Sequence, residues 1–259
     1  MHELTLGISP CPNDVCIFSG ILLGEVHAEG LRFQVEFHDI ETLNERAQTQ
    51  VLDVAKISYA NYVRCRERYH LLPCGGAIGR GVGPLLLSNG GDWNPDAEVL
   101  VPGEFTTANF LLDFYAGRPL RKRFLPFDAL YAHLLNTPGA QGVVIHEKRF
   151  TYQADGLHLI QDLGDFWERE TGFAIPLGAI AARAELDSAL LTAAVRESLR
   201  WAYAHDAEAF ALCRQYAQDL NPDVVRAHIN LYVNSFTENV GPEGQAAVDF
   251  FLAQQQFRL

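Results

Sequence analysis

A chain of 259 residues, 48% of them apolar, is long enough to bury a sizeable core as one large domain or two small ones. The formal net charge of −12 repels polyanions, and the single basic cluster at 118–123 is too short to outweigh it, so nucleic acid is excluded as an expected partner. No apolar stretch reaches the roughly 18 residues of a membrane span. The opening MHELTLGISP lacks the basic start and apolar run of a secretory signal, which predicts a cytoplasmic protein.

The distribution of cysteine and histidine predicts a protein without metal or cofactor. Five cysteines form an odd set without CxxC pairs, which favours reduced thiols over disulfides or structural zinc. Cys11 precedes a predicted helix start, where thiolates become reactive, but a small buried residue is the favoured interpretation. The nine histidines include no HxH or HExxH, and no GxGxxG joins a strand to a helix.

The first part of the chain alternates between strand-like and helix-like patterns. Six elements are predicted, in the order strand, helix, strand, helix, strand, helix: 4–8, 14–23, 31–38, 41–50, 53–58 and 61–68. This alternation favours a largely parallel sheet. Ligands of such sheets bind at the carboxyl ends of the strands.

A glycine-dense passage at 74–95 interrupts this pattern. It leads into a second βα series: EVLVPG as a strand, TTANFLLDFYAG and FDALYAHLL as helices, and GVVIHE as a strand. After the apolar run at 172–183, the remainder of the chain is predicted to form a succession of helices.

Two extended segments, near 83–87 and 176–181, are predicted to carry the chain between two α/β lobes. The first lobe is then discontinuous, with residues 1–86 and 182–259, and the second comprises residues 87–181. Two crossings between lobes are typical of a hinged pair with a central cleft. Fold alone does not separate a binding protein from an enzyme, so the candidate site residues carry the functional argument.

Two turns are predicted to aim helix starts into the cleft. SPCPND at 9–14 contains Ser9 and two prolines, with Asn13 and Asp14 as helix caps, and the N–H groups of a helix start bind anions. GEFTTANF at 103–110 offers Thr106 and Thr107 in the same way. Ordinary helix capping explains both turns nearly as well.

Lys56 and His146 are the two side chains predicted to supply charge and proton transfer. Lys56 ends a strand just before Ser58, where it is expected to hold a substrate carboxylate; a solvated lysine at a sheet edge is the alternative. His146 follows an apolar strand and is expected to face the cleft as a proton acceptor, whereas Glu147 should point elsewhere if the strand continues. A structural histidine is the alternative interpretation for His146.

Seven segments, taken together, resemble one family. They occur in order through nearly the whole chain: SPCPND, DVAKISYA at 53–60, GGAIGRGVGPL at 75–85, TTA at 106–108, IHEKRFTY at 145–152, PLGAI at 176–180 and YVNSF at 232–236. This combination is similar to the 1,4-dihydroxy-6-naphthoate synthases of menaquinone biosynthesis. The combination is much more specific than any of its motifs alone.

The resemblance implies the two-lobed fold of type II periplasmic binding proteins and a lyase of the futalosine pathway that works without cofactor or metal. Its substrate is the small-molecule carboxylate cyclic dehypoxanthine futalosine, and its product is 1,4-dihydroxy-6-naphthoate. The family's proton-accepting histidine falls on His146. The expected substrate contacts fall on Lys56, Ile57, Ser58, Thr107 and Ala108; Ser9, Asn13 and Thr106 are added from the helix-start argument.

The chain departs from the family pattern directly after SPCPND, where Val15 and Cys16 stand in place of an expected threonine and aromatic residue. If that threonine contacts substrate in relatives, a hydroxyl contact is missing here; if it faces the core, nothing changes. Two alternatives share the expected fold. A chorismate dehydratase is disfavoured by the SPCPND opening, and a solute-binding protein for small carboxylates is disfavoured by the lack of an export signal.

Overall fold

The computed structural model describes residues 2–27, 30–219 and 221–256. These residues form two β-sheets covered by helices. The strands are β1 (His2–Ile8), β2 (Leu31–Phe37), β3 (Val54–Ser58), β4 (Tyr69–Leu71), β5 (Ala77–Gly79), β6 (Leu85–Ser88), β7 (Val99–Val101), β8 (Lys122–Phe124), β9 (Gln141–Val144), β10 (His158–Asp162) and β11 (Ile175–Arg183).

The helices alternate with the strands in the first two thirds of the chain and dominate the last third. They are α1 (Pro12–Leu22), α2 (Ile40–Gln48), α3 (Tyr59–Cys65), α4 (Thr107–Ala116), α5 (Phe127–Asn136), α6 (Lys148–Thr151), α7 (Leu163–Thr171), α8 (Ser188–Ala204), α9 (Asp206–Tyr216), α10 (Pro222–Tyr232), α11 (Ser235–Glu238) and α12 (Gly241–Gln256). Within the described ranges, no helix combines the length and hydropathy that crossing a bilayer requires.

The first sheet has the strand order β2-β1-β3-β11-β4, and β5 also pairs with β11. β1 runs parallel to β2 and β3, whereas β11 runs antiparallel to β3, β4 and β5. The predicted largely parallel sheet is therefore mixed. The parallel pairs follow βα crossovers, but β11 returns from the second sheet and enters from the opposite end.

The second sheet has the order β10-β6-β9-β7-β8. β7 runs parallel to β8 and β9, while β6 runs antiparallel to β9 and β10. The chain thus leaves the first sheet after β5 and rejoins it at β11, and the predicted α/β class with two sheet-centred units is confirmed. The lobe boundaries at 86/87 and 181/182 stay predictions, although β11 belongs to the first sheet along its whole length.

Two glycines meet where the chain crosses from β5 to β6. A Cβ atom added to Gly83 would lie 2.2 Å from Cα of Gly164, and one added to Gly164 would lie 2.6 Å from Cα of Gly83. Gly164 lies in the first turn of α7, and its N–H donates to Asp162 Oδ1 at 2.9 Å. Arg149 bridges the two segments through the carbonyl of Gly83 and, at 2.6 Å, through Asp162 Oδ2. This close backbone approach fixes the crossing against the second sheet.

We expect Gly83→Ala and Gly164→Ala each to destabilise the fold by about 1–3 kcal/mol, because either methyl group forces two backbone segments apart. Urea denaturation measures the free energy of unfolding. Both substitutions strain the same contact. The free energy of unfolding should therefore fall by less in the double variant than the sum of the two single decreases. Strictly additive losses would contradict a shared contact.

Candidate active site

A cleft that opens to solvent lies where the first strands of the chain face the second sheet, and the space inside its lining, open solvent included, is about 730 Å³. Its walls come from the turn before α1, the carboxyl end of β3, the β5–β6 crossing, the start of α4, the segment after β9, and α10. The lining residues are Ser9, Cys11, Asn13, Asp14, Ile40, Lys56, Ser58, Ala77, Val82, Gly83, Pro84, Thr106, Thr107, Ala108, Ile145, His146, Arg149, Leu177, Gly178, His228 and Tyr232.

All of the residues predicted from the sequence to form the site line this cleft except Ile57. The exception follows from strand geometry, because successive side chains of β3 point to opposite faces. Lys56 and Ser58 face the cleft, whereas the Ile57 side chain is fully buried in a cluster with Leu43 and Leu52. Only the backbone of Ile57 is left to contact a ligand.

Asp14 is the hub of the polar network on this wall. Its Oδ1 accepts from Lys56 Nζ at 2.6 Å and from Asn13 Nδ2 at 2.9 Å, and its Oδ2 accepts from Ser9 Oγ at 2.6 Å. The Asp14 and Lys56 side chains are 2% and 5% exposed, so the ion pair is nearly dry. A buried charge of this kind is tolerated only when it is paired and hydrogen-bonded.

The environment of Lys56 overturns the picture of a solvated lysine at a sheet edge. β3 lies between β1 and β11 in the first sheet, and Lys56 Nζ also donates to the Gly75 carbonyl at 3.3 Å. Two of the three ammonium N–H donors are therefore committed, and one remains for the cleft. Because Asp14 neutralises the charge, Lys56 offers a ligand a hydrogen bond rather than a free cation.

The capping roles predicted for Asn13 and Asp14 are wrong. Helix α1 begins two residues earlier than predicted, with Pro12 at its first position and Cys11 as an N-cap that makes no side-chain capping bond. Pro12 has no N–H that needs a capping partner. The Asn13 and Asp14 side chains make the hydrogen bonds described above and do not cap the helix.

The capping role predicted for Thr106 is correct, since its Oγ1 accepts from Asn109 N at 3.1 Å. That hydroxyl also donates to the Gly103 carbonyl at 3.0 Å, and the Thr107 hydroxyl donates to the Leu177 carbonyl at 2.8 Å. Both hydroxyl protons are therefore committed within the protein. What the start of α4 offers a ligand is its backbone N–H groups.

His146 lies just beyond β9 in a left-handed conformation, with φ of +61°. The strand ends at Val144, so the strand geometry on which the expectation for Glu147 depended does not persist. Glu147 is nevertheless not among the residues that line the cleft. His146 Nδ1 lies 3.0 Å from Cys11 Sγ, a contact that joins residues 135 positions apart across the cleft. The ligating atoms of Cys11, His146 and Glu147 all lie within 4.8 Å of one another.

Burial sets the protonation of this cluster. It lowers the pKa of His146 below its ordinary value, although the Glu147 charge opposes the shift, so the imidazole is neutral at pH 7. Burial, reinforced by the Glu147 and Asp14 carboxylates, raises the pKa of the Cys11 thiol well above its usual range. Cys11 is therefore a protonated thiol here and not a nucleophile.

His228 is a cleft residue that sequence reasoning missed, because no spacing relates it to the other site residues. Its Nε2 lies 2.9 Å from Asn13 Oδ1. Since Asn13 uses its amide N–H on Asp14, its oxygen must accept from His228, which puts the imidazole proton on Nε2. Burial lowers the pKa of His228 well below its ordinary value, and the nearby His146 and Lys56 reinforce the shift. The ring is therefore neutral.

Val15 and Cys16, which depart from the expected pattern, face away from the cleft. Val15 is fully buried, and both side chains pack in a cluster with Cys213 of α9 and Val225 of α10. Cys213 Sγ additionally donates to the Pro12 carbonyl at 3.4 Å. The departure therefore changes the packing behind α1 and not the surface presented to a ligand.

Comparison with known proteins gives matches over the full length of the chain. A family model described as menaquinone biosynthesis matches residues 4–256. A 1,4-dihydroxy-6-naphthoate synthase of Thermus thermophilus is 42% identical over 266 residues, covering 100% of this chain and 96% of that protein. A protein of the same name from Streptomyces coelicolor is 39% identical over 254 residues, covering 95% of this chain and 90% of that protein.

Comparison with solved structures shows which fold this chain shares. A crystal structure of a protein from Archaeoglobus fulgidus is 28% identical with a TM-score of 0.92, covering 100% of this chain and 99% of that chain. The periplasmic aliphatic sulphonate binding protein of Escherichia coli aligns with a TM-score of 0.65 over 99% of this chain and 88% of its own, at 12% identity. The expected periplasmic-binding-protein-like fold is confirmed.

The Asp14–Lys56 pair gives a directional stability prediction. Breaking a buried ion pair costs roughly 3–5 kcal/mol, because the remaining charge is left uncompensated. Lys56→Met should lower the free energy of unfolding by less than Asp14→Asn. In Lys56→Met the remaining Asp14 keeps its hydrogen bonds from Ser9 and Asn13, whereas in Asp14→Asn the remaining Lys56 keeps only its bond to the Gly75 carbonyl. Urea denaturation measures both losses.

The control for this comparison is the exposed pair between Arg118 and Asp96, whose side chains are 52% and 76% exposed. Arg118→Met should change the free energy of unfolding by at most about 1 kcal/mol. Equal losses for the buried and exposed pairs, or a larger loss for Lys56→Met than for Asp14→Asn, would refute the assignment of Asp14 as the hub.

Proposed function

Because the chain belongs to the menaquinone biosynthesis family and is an enzyme of the 1,4-dihydroxy-6-naphthoate synthase type, we propose that it is a lyase acting on cyclic dehypoxanthine futalosine. In this proposal His146 is the general base. The enzyme would act in the futalosine pathway in the cytoplasm, as expected of an enzyme that makes a menaquinone precursor.

One observation carries the proposal for His146: a neutral imidazole borders a cleft whose other walls are mostly apolar. Ile40, Ala77, Val82, Ile145 and Leu177 are among the lining residues. Apolar walls with a few convergent polar groups suit a substrate with a flat ring system. A neutral histidine can accept a proton from a substrate hydroxyl and return it later, because one ring nitrogen keeps a free lone pair.

The base step would begin with the contact between Cys11 and His146. In this proposal the imidazole proton lies on Nε2, so the protonated Cys11 thiol donates to the Nδ1 lone pair 3.0 Å away, and S–H is a weak donor. A substrate hydroxyl, which is a stronger donor, replaces the thiol and transfers its proton to the imidazole. The resulting alkoxide becomes a carbonyl group as the carbon–carbon bond breaks, and the carbohydrate portion leaves with that carbonyl. The bonding electron pair stays on the ring system as an enolate, which then becomes aromatic.

Charge that develops on the substrate as an enolate needs donors already in position. Ser58 is one such donor: Asn44 Nδ2 donates to its Oγ at 3.0 Å, so the Ser58 hydroxyl keeps its own proton for the cleft. The third N–H of Lys56 and the backbone N–H groups at the starts of α1 and α4 are the others. In our proposal Ser9, Asn13, Thr106 and Thr107 act mainly by orienting these donors, and Ala108 lends its backbone. A carboxylate on the substrate would use the same donors.

A two-lobed cleft also predicts that the lobes close over the substrate and exclude water. The fold is shared with binding proteins, so capture without chemistry is the competing outcome. A chorismate dehydratase activity is the other. Assaying both substrates distinguishes them, because only the proposed function predicts release of the naphthoate.

The decisive experiment is single-turnover conversion of cyclic dehypoxanthine futalosine, with substrate binding measured in parallel. Wild type should release 1,4-dihydroxy-6-naphthoate, and His146→Gln should slow that step by about 10²- to 10⁴-fold while binding persists, because the variant lacks only the proton acceptor. His158→Gln, which changes an exposed histidine of β10, is the matched control and should behave as wild type.

Two results would overturn parts of this proposal. Binding without turnover by wild type would leave a binding protein or a different enzyme as the better interpretation. Unimpaired turnover by His146→Gln would keep the activity and reject the base.

A further inference from the structure

Cys11, His146 and Glu147 bring three kinds of metal-ligating atom together at the edge of the cleft. A thiol sulfur, an imidazole nitrogen and a carboxylate oxygen lie within 4.8 Å of one another. Among residues 2–27, 30–219 and 221–256, no other three histidine, cysteine or acidic side chains are grouped in this way. Sequence spacing gives no sign of the group, because Cys11 and His146 are 135 positions apart.

Glu147 supplies a second and independent observation. The residue is 2% exposed, and neither of its carboxylate oxygens has a hydrogen-bond partner in the described part of the chain. A buried carboxylate without hydrogen bonds is costly, and native structures rarely leave one unsatisfied. Asp14, which is equally buried, accepts hydrogen bonds from three side chains. The Glu147 carboxylate therefore lacks a positively charged or hydrogen-bonding partner within the described residues.

We infer that Cys11, His146 and Glu147 form a binding site for one borderline-soft divalent cation such as Zn²⁺, and that the bound ion inhibits the enzyme. The thiol S–H bond breaks, the sulfur–metal bond forms, and the proton leaves to solvent. One thiolate and one carboxylate then balance the two positive charges, while the imidazole ligates in its neutral form. The site is neutral overall, which suits a buried position.

The donor set selects the class of metal. Sulfur and nitrogen ligands favour Zn²⁺ and Co²⁺ over Mg²⁺ or Ca²⁺, which prefer oxygen. Three protein ligands leave one position of a tetrahedral ion open to water. Cys11 and His146 both line the cleft, which gives the ion an entry path.

The inhibitory consequence rests on the function proposed for His146. A metal ion on the imidazole occupies the lone pair that would accept the substrate proton, so the bound ion and turnover exclude each other. The metal site itself rests only on the geometry of the three side chains. Metal binding and inhibition are therefore measured separately.

Co²⁺ is the probe for binding, because a thiolate ligand gives a sulfur-to-cobalt charge-transfer band and a tetrahedral site gives intense visible bands. Chelator-treated protein, reduced with a phosphine, is titrated with Co²⁺ and should bind one ion per chain with both signatures. Cys11→Ser should lose the charge-transfer band. Glu147→Gln should keep the band and weaken binding by at least about 10- to 100-fold, the loss that even an outer-shell partner causes.

Cys65→Ser is the matched control, since Cys65 is also a buried free thiol but lies away from the cleft. It should titrate as wild type, and thermal melts should confirm that every variant is folded. Absence of the charge-transfer band in wild type, or its persistence in Cys11→Ser, would overturn the site. So would Co²⁺ affinity that Glu147→Gln leaves unchanged.

The second arm measures turnover with Zn²⁺. Wild type and Cys65→Ser should lose activity as the ion binds and regain it with chelator, whereas any turnover retained by Cys11→Ser should not respond to Zn²⁺. Full turnover by wild type with one ion bound would overturn the inhibitory role and, with it, the role of His146 as base, while leaving the metal site intact. Failure of the first arm alone would leave the proposed function untouched.

Discussion

The buried ion pair between Asp14 and Lys56 is the interaction on which this site depends. It joins the first turn of α1 to the middle of the first sheet, and it does so where both side chains are almost completely excluded from water. The pair is stable because Ser9 and Asn13 donate to the same carboxylate. Through Asn13 the network continues to His228 and fixes the proton of that ring on Nε2. One carboxylate thus orients side chains from β3, α1 and α10.

The opposite wall depends on how the second sheet is held against the first. The contact between the backbones of Gly83 and Gly164 sets the crossing, and Arg149 ties that crossing to Asp162 next to α7. His146 reaches the cleft from this side because the chain turns sharply after β9. Its contact with Cys11 therefore joins the two walls directly. Since proton transfer requires donor and acceptor within about 3 Å, the packing of the crossing is part of the chemistry.

The fold itself is shared with proteins that only bind solutes, so the difference between capture and catalysis lies in a few side chains. Here the cationic residues on the cleft wall are already paired, Lys56 with Asp14 and Arg149 with Asp162. The cleft therefore offers hydrogen bonds and helix starts rather than free charge. A neutral histidine in such surroundings suits proton transfer better than electrostatic capture.

The sequence by itself determined the alternation of strands and helices, the presence of a helix after SPCPND and the cap at Thr106, because these depend on periodicity and on neighbouring residues. A local pattern also singled out His146, which directly follows an apolar strand, and the family resemblance supported its role as proton acceptor. Only the tertiary structure decided that Lys56 forms an ion pair with Asp14 and that Ile57 faces the core. It also decided that Glu147 turns toward Cys11 and that His228 belongs to the cleft. Charge pairing, burial and hydrogen bonding act through space between residues 42 to 215 positions apart, and no local pattern encodes those distances.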